Sequence, residues 1–244
     1  MNASILVVSG TGTDVGKTIV TAAMAALAAA AGLRVAVVKP CQTGVRDGED
    51  GDLATVARLA TVESLHEFTR YPEPLSPHIA AQLEGRPGLD LGSAVTRIRS
   101  IAADHDLVLV EGAGGLLVEY NDRGETIADL AGKLDAAVVV VVHPNLGTLN
   151  HASLTLEALR SRTLSLAGVV IGSWPSEPDL ACRTNLADLS RLAGGPLAGT
   201  LEHGAGSLSP EAFLAAATRG LAPVFGGQFD ASNFSQRFGY RRNP

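Results

Sequence analysis

Gly10-Thr11-Gly12-Thr13-Asp14-Val15-Gly16-Lys17-Thr18 lies between an apolar run at residues 5–8 and an Ala-rich stretch at residues 19–31 that has the length and propensity of a helix. Strand, tight glycine loop, helix is the context of a phosphate-binding loop. Its backbone N–H groups and the positive end of the following helix hold phosphate oxygens, a Lys reaches the outer phosphates, and a Ser or Thr hydroxyl faces a magnesium ion. Gly16, Lys17 and Thr18 match that pattern, while the leading Gly stands at position 10, one place earlier than in the usual spacing. A dinucleotide fingerprint fits less well, because its third Gly falls on Val15 and the second apolar run ends in Lys39 where an acidic ribose reader is wanted.

Further continuous apolar runs occur at 35–38, 107–110, 136–142 and 166–171, separated by helical stretches at 52–60, 91–103, 126–134, 149–159 and 180–192. Runs that are apolar throughout, and do not alternate, suit strands buried on both faces. The order is repeated β-α, which predicts an α/β fold: a single P-loop NTPase-type domain with a doubly wound, mostly parallel sheet and helices on both faces. We assign that domain to residues 1–225. Residues 71–88 read as an elaborated crossover. From residue 226 to 244 the chain turns to Gly, Gln, Asn, Ser, Arg and Phe without periodicity, which predicts a flexible C-terminal tail, although Phe225, Phe229, Phe234 and Phe238 leave docking onto a neighbouring subunit open.

Composition narrows the partners. With 19 basic against 25 acidic residues and a net charge of −6, the 244-residue chain has no basic excess for nucleic acid or an anionic membrane surface. No stretch reaches the roughly 20 apolar residues needed to span a bilayer, and no basic segment precedes an apolar one as in a secretory signal. Cys41 and Cys182 are far apart and outside any metal-binding spacing, which favours a reducing, cytoplasmic setting.

A parallel sheet delivers all its strand ends to one edge, so Lys39 should share a rim with the P-loop. The 19 basic residues include only three lysines, and two of them, Lys17 and Lys39, fall at these two loops. Glu111 ends the run 107–110 and opens Glu111-Gly112-Ala113-Gly114-Gly115, a carboxylate at a strand tip where a magnesium ligand is wanted. Asp52 offers another oxygen; Asp50 and Glu49 are rivals, and an N-cap role for Asp52 is the alternative. His143 to His151 should overhang the same edge, with no histidine pair at metal-binding spacing.

Taken together, these residues resemble the dethiobiotin synthetase family. The resemblance rests on Gly-Thr-x-Thr-x-Val-Gly-Lys-Thr at 10–18, Lys-Pro-x-x-[Ser/Thr]-Gly at 39–44, Gly-Asp at 51–52, Glu-Gly-Ala-Gly-Gly at 111–115 and Leu-Gly-Thr-x-Asn-His at 146–151. It implies a biotin-biosynthesis ligase, an ATP- and Mg²⁺-dependent enzyme that joins CO₂ (or bicarbonate) to 7,8-diaminononanoate and closes a ureido ring, through a carbamate and a carbamic-phosphoric anhydride. It further implies catalytic roles for Lys17 and Lys39, and metal ligation by Thr18, Asp52 and Glu111. Nucleotide contacts would come from Thr13, Asp14, Val15, Gly16, Lys17, Thr18, Ile19, Asp52, Glu111, Gly112, Ala113 and Gly114, with Gly172, Ser173, Glu202, His203 and Gly204 on the base side. Thr43, Gly147, Thr148 and Asn150 would hold substrate, in part across a homodimer interface. Two positions depart from the family pattern: Gly12 replaces an Asp common between the P-loop threonines, and Gly172 replaces an Asn that reads adenine, so nucleoside triphosphates other than ATP are open as co-substrates.

Two other readings compete. A ParA/MinD-like switch ATPase would carry an additional Lys where Gly12 stands, and would use a basic amphipathic C-terminal helix at membranes. A corrinoid amidoligase would need a glutaminase domain and a nucleophilic Cys, whereas Cys41 reads as a strand-end residue.

Overall fold

The computed structural model describes residues 3–240. Its main sheet has seven strands: β1 (Ser4–Gly10), β2 (Val35–Lys39), β4 (Ser64–Glu67), β6 (Leu107–Glu111), β7 (Ala137–Val142), β8 (Leu166–Trp174) and β9 (Gly199–Glu202). In space they run β4-β2-β6-β1-β7-β8-β9, and every pairing is parallel. Two short strands, β3 (Gln42–Thr43) and β5 (Arg70–Tyr71), pair beside this sheet.

The uninterrupted apolar runs are explained by two cores, one on each face of the sheet. Val138, Val140 and Val142 point into one core, while Val139 and Val141 point into the other. On the first face lie α4 (Leu91–Ala103), α5 (Ile127–Leu134), α6 (Thr148–Ser161) and α7 (Leu180–Ala193). The second face is covered by α1 (Lys17–Ala30), α2 (Asp52–Ala60) and α8 (Pro210–Gly220). The alanines of α1 are why it nests so close: Ala22, Ala23 and Ala25 are fully buried, and larger side chains there would push the helix off the sheet.

Several helix starts are written locally. The Asp90 carboxylate accepts from the Ser93 N–H at 2.9 Å, and Asp179 accepts from Cys182 at 2.7 Å. Thr126 and Asp129 form a reciprocal capping box at the head of α5. The expected helices 52–60 and 91–103 agree with α2 and α4 to the residue, and the other expected elements shift by one to three residues at their ends. β4, β9 and α8 were not expected. The first two are edge strands of four residues each, too short to show a period.

The segment at 71–88 contains a further helix, α3 (Pro77–Leu83), entered through Ser76-Pro77. The expectation of a flexible tail from 226 to 244 is corrected over its described part. Gln228 donates to the Thr218 carbonyl at 2.6 Å, Phe229 is buried, and α9 (Ala231–Phe238) lies on the body of the chain with Asp230 capping it. The physical reason is aromatic: Phe229, Phe234 and Phe238 cluster with Trp174, so the tail has its own apolar face to bury. Within the chain, these rings thus pack onto Trp174. Residues 241–244, also part of that expectation, lie outside the described residues.

Candidate active site

All seven parallel strands end at one rim, which gathers the P-loop after β1, Lys39 at the end of β2 and Glu111 at the end of β6. The loop is pinned from behind. Thr11 N–H donates to the Val141 carbonyl at 3.0 Å, and Gly112 N–H donates to Val8 at 2.9 Å. Gly16 adopts φ +95° as it starts α1, and a Cβ on it would come within 2.7 Å of the Gly172 carbonyl oxygen. A side chain on Gly172 would in turn meet the Val15 carbonyl, so loop and strand β8 touch backbone to backbone at two glycines.

In front of the loop is a cavity of about 790 Å³. Thr13, Asp14, Gly16, Lys17, Thr18, Ile19, Lys39, Thr43, Asp52, Glu111, Ala113 and Gly114 all line it. At its floor the charges interlock. Lys39 Nζ donates to Glu111 Oε1 at 2.8 Å and to the Gly112 carbonyl at 3.2 Å, and also forms an ion pair with Asp52. Thr18 Oγ1 donates to the same Glu111 oxygen at 2.9 Å, and Lys17 Nζ reaches back over the loop to the Gly12 carbonyl at 2.7 Å.

Position in the rim sets the electrostatics. Burial, with the Lys39 charge adding to it, brings the Lys17 ammonium down to about 8 against the opposing pull of Glu111, Asp52 and Asp14. Burial also works against the Lys39 ammonium, yet the Glu111 and Asp52 carboxylates outweigh it and hold Lys39 above the usual lysine range. For Asp52 burial pushes upward but Lys39 prevails, keeping the carboxylate ionised, whereas Glu111, wholly enclosed and beside Asp52, is pushed up. Lys39 is therefore the internal counter-ion of two carboxylates.

Magnesium binds through oxygen, commonly one or two protein carboxylates together with substrate phosphates. Glu111 Oε2 is buried without a hydrogen-bond partner, and Asp52 and the Thr18 hydroxyl stand beside that carboxylate. An unpaired buried acceptor flanked by two further hard oxygens fits such an ion. Asp52 is not the N-cap of α2: Gly51 holds that position, and the Asp52 N–H is taken by the Gln42 side chain at 2.9 Å. The rival Glu49 turns aside to the Arg46 N–H, and Asp50 is exposed.

Other expected residues are not brought to the cavity. Val15 packs behind the loop against Gly10, and Gly112 lies beneath it, its N–H bonded to Val8 and its carbonyl to Lys39. Gly147, Thr148 and Asn150 form the head of α6, away from the cavity wall. Gly172 and Ser173 near the end of β8, with Glu202 ending β9 and His203 and Gly204 after it, form a second group at the strand ends, outside the cavity lining. Within that group the Ser173 hydroxyl and His203 Nδ1 are 3.0 Å apart, and the His203 N–H donates to the Trp174 carbonyl at 2.7 Å.

Three features escaped the sequence. Gln42 is buried and fixes Asp52, and nothing but its place inside Lys-Pro-x-x-Thr-Gly signals it. Tyr120 is fully buried and its hydroxyl accepts from the Ala113 N–H at 2.8 Å, tying down the loop after Glu111. Pro74, Leu75, Ser76 and Pro77 close the far side of the cavity.

The fold and the loop define a P-loop nucleotide-binding protein, and a family model described as an AAA domain matches residues 4–210. Among solved structures, the septum site-determining protein MinD from Pyrococcus horikoshii superposes with a TM-score of 0.57 at 17% identity, covering 89% of this chain and 95% of that one. A ParA family ATPase from Chlorobium tepidum gives 0.54 at 14% identity, covering 91% and 95%. At that distance the likeness is one of fold. Sequence relatives are much nearer: the ATP-dependent dethiobiotin synthetase of Parafrankia sp. is 55% identical over 96% of this chain and 99% of its own length. The corresponding synthetase of Saccharopolyspora erythraea is 57% identical over 93% and 99%. The chain belongs to the ATP-dependent dethiobiotin synthetase family.

Proposed function

We propose that the chain is a dethiobiotin synthetase, a ligase of biotin biosynthesis that takes 7,8-diaminononanoate, CO₂ and ATP to dethiobiotin, ADP and phosphate. The observation that carries the reading is Lys39: a buried ammonium, held between Asp52 and Glu111, on the rim where Lys17 and Thr18 begin α1. A ParA/MinD-like switch ATPase would take its additional Lys from position 12, where this chain has Gly, whereas this reaction must bring an anionic carbamate against an anionic triphosphate, which calls for a second cation on the rim.

One amine of the substrate takes up CO₂ and gives up a proton, forming the carbamate. Lys17 and the loop N–H groups hold the triphosphate, and Lys39 offsets the charge of the carbamate oxygen as it attacks the γ-phosphorus and ADP leaves. The second amine then attacks the carbonyl carbon of the mixed anhydride, expelling phosphate and losing a proton as the ring closes. Preorganised charge of this kind is commonly the largest catalytic contribution. Thr18, Asp52 and Glu111 would hold Mg²⁺, which supplies further charge neutralisation at the phosphates. Thr43 lies on the cavity wall within reach of substrate.

Gly147, Thr148 and Asn150 serve this reading through a second copy of the chain. Leu146, just before the Gly147 N-cap of α6, and Leu154 on α6 itself are 88% and 58% exposed, large apolar side chains on either side of Asn150 in the sequence that a homodimer interface would cover. The base side of the nucleotide falls to Gly172, Ser173, Glu202, His203 and Gly204; with no side chain at Gly172, CTP and GTP are co-substrates to test beside ATP. Cys41 and Cys182 are both free, in keeping with the cytoplasm, and among the described residues no helix is long and apolar enough to cross a membrane.

Phosphate release from Mg-ATP and bicarbonate should depend on added 7,8-diaminononanoate, with dethiobiotin detected by mass. Hydrolysis indifferent to the diamine would remove the ligase reading and favour the switch ATPase.

A further inference from the structure

The aromatic cluster that holds the C-terminal segment lies against the base-side group of the rim. Trp174 is the chain's single tryptophan and the last residue of β8; it is buried, with the Phe234 ring 5.1 Å and the Phe238 ring 5.8 Å away, both edge-on. Phe234 in turn contacts Phe229 at 5.4 Å and Phe238 at 4.8 Å. The backbone is tied as well: Arg183 on α7 donates from Nε to the Phe238 carbonyl at 3.3 Å, and its own carbonyl accepts from Tyr240 at 3.2 Å. Helix α9 is thus fastened both to the Trp174 ring and to α7.

Trp174 has two faces to its role. Its ring belongs to the aromatic cluster, while its backbone carbonyl receives the His203 N–H at 2.7 Å and its neighbour Ser173 meets His203 Nδ1 at 3.0 Å. Two residues upstream, Gly172 rests directly on the P-loop backbone at Val15 and Gly16. The Trp174 ring is therefore carried on the same strand end as Ser173, and the backbone of that strand end seats His203.

We propose that α9 is a positioning element for nucleotide binding: through Phe234 and Phe238 it sets the Trp174 ring, and through Trp174 it fixes Ser173 and His203 at the base end of the nucleoside triphosphate. The proposal rests on the reading that residues 172–174 and 202–204 face the base. Lys39, Asp52 and Glu111 are held by β2, α2 and β6 independently of α9. Removing the brace should consequently weaken nucleotide binding and blunt the discrimination among bases, while leaving the chemical step alone.

The experiment uses the full chain with Phe234→Ala, Phe238→Ala and, as the milder change, Phe238→Leu, beside His203→Ala. Isothermal titration gives Kd for ATP, CTP and GTP, steady-state kinetics gives both KM values and kcat, and the emission of Trp174 reports the cluster directly. We expect red-shifted emission and a Kd for nucleotide raised about five- to tenfold in the Ala variants, the factor one lost aromatic edge contact commands. Phe238→Leu should fall between them and the parent. The KM for the diamine and kcat at saturation should stay within about twofold of the parent, since α9 touches neither Lys17 nor Lys39. The proposal is overturned if emission shifts but Kd does not, or if kcat and both KM values deteriorate together, which would mark a general structural role. In the first case a weakened Kd in His203→Ala would leave the base-side reading standing, whereas an unchanged Kd in all four variants would remove that reading as well.

Discussion

Replacing Lys39 should expose how much of the site is held together by one buried charge. Its ammonium is almost wholly enclosed, 2.8 Å from Glu111 and paired with Asp52. Lys39→Met keeps most of the volume and removes the charge, leaving the buried Glu111 carboxyl facing the half-buried Asp52 carboxylate with no counter-ion between them. Breaking a buried ion pair from one side costs about 3–5 kcal/mol. For a chain of this size each kcal/mol moves Tm by roughly 2–4 °C, so the metal-free variant should melt about 6–20 °C below the parent. A divalent cation bound by the freed carboxylates would restore what the ammonium supplied, at most about 2.7 kcal/mol at a hundredfold excess over its Kd. Mg²⁺ or Mn²⁺ without nucleotide should accordingly raise the Tm of Lys39→Met more than that of the parent in a scanning calorimeter. In turnover, a charge pair at about 4 Å and an effective dielectric near 20 is worth roughly 4 kcal/mol, so diamine-dependent phosphate release should fall about two to three decades. Nucleotide Kd should stay within a few-fold, because Lys17 and the loop remain. Normal turnover in Lys39→Met, or a Tm equally responsive to metal in both proteins, would refute the assignment.

Gly172→Ala should place a Cβ against the Val15 carbonyl and the Gly16 backbone, an overpacking that costs about 1–3 kcal/mol by urea denaturation and weakens nucleotide binding by titration; wild-type values for both would show that loop and strand can separate. Tyr120→Phe removes the acceptor of the buried Ala113 N–H and should lose about 1–3 kcal/mol in the same denaturation, with turnover reduced as the loop after Glu111 loosens. Burial pushes the Cys41 thiol up to about 12, so native protein at pH 8 should resist iodoacetamide at Cys41 and react only when unfolded. The unfolded thiol begins to ionise near pH 9 while the folded one does not, so stability should be unaffected below that pH and decline as pH rises from about 9 to 12. Cys41→Ala, measured over the same range, should flatten that decline.

The strands and helices of the doubly wound core were legible because burial on both faces leaves runs such as residues 136–142 without a polar residue, with helical stretches between them. The P-loop, Lys39 and Glu111 were legible for a related reason: each stands immediately after such a run, and parallel topology alone carries strand ends to one rim. What stayed hidden is what only tertiary packing creates. Gln42 bonds Asp52 across ten residues, and the Tyr120 hydroxyl serves a backbone N–H seven residues away in a loop with no repeat. The tail read as loose because α9 has only eight residues, too few to display a period, and its apolar face is completed by Trp174 from a strand some sixty residues earlier.

The charge balance of the rim indicates why the reaction needs everything that gathers there. Lys17 and Lys39 contribute two positive charges; Asp52 and Glu111 contribute two groups able to cancel them, and Asp14 stands close by. The protein alone therefore offers little net attraction to a triphosphate beyond the loop N–H groups and the end of α1, and its most buried cation is already engaged. Lys39 can stabilise an incoming carbamate only to the extent that Asp52 and Glu111 are satisfied by another cation, and Glu111 Oε2, buried and unpaired, is where the protein's own donors are lacking. On the proposed function, metal and nucleotide arriving together would satisfy Asp52 and Glu111 and leave the Lys39 ammonium to the carbamate.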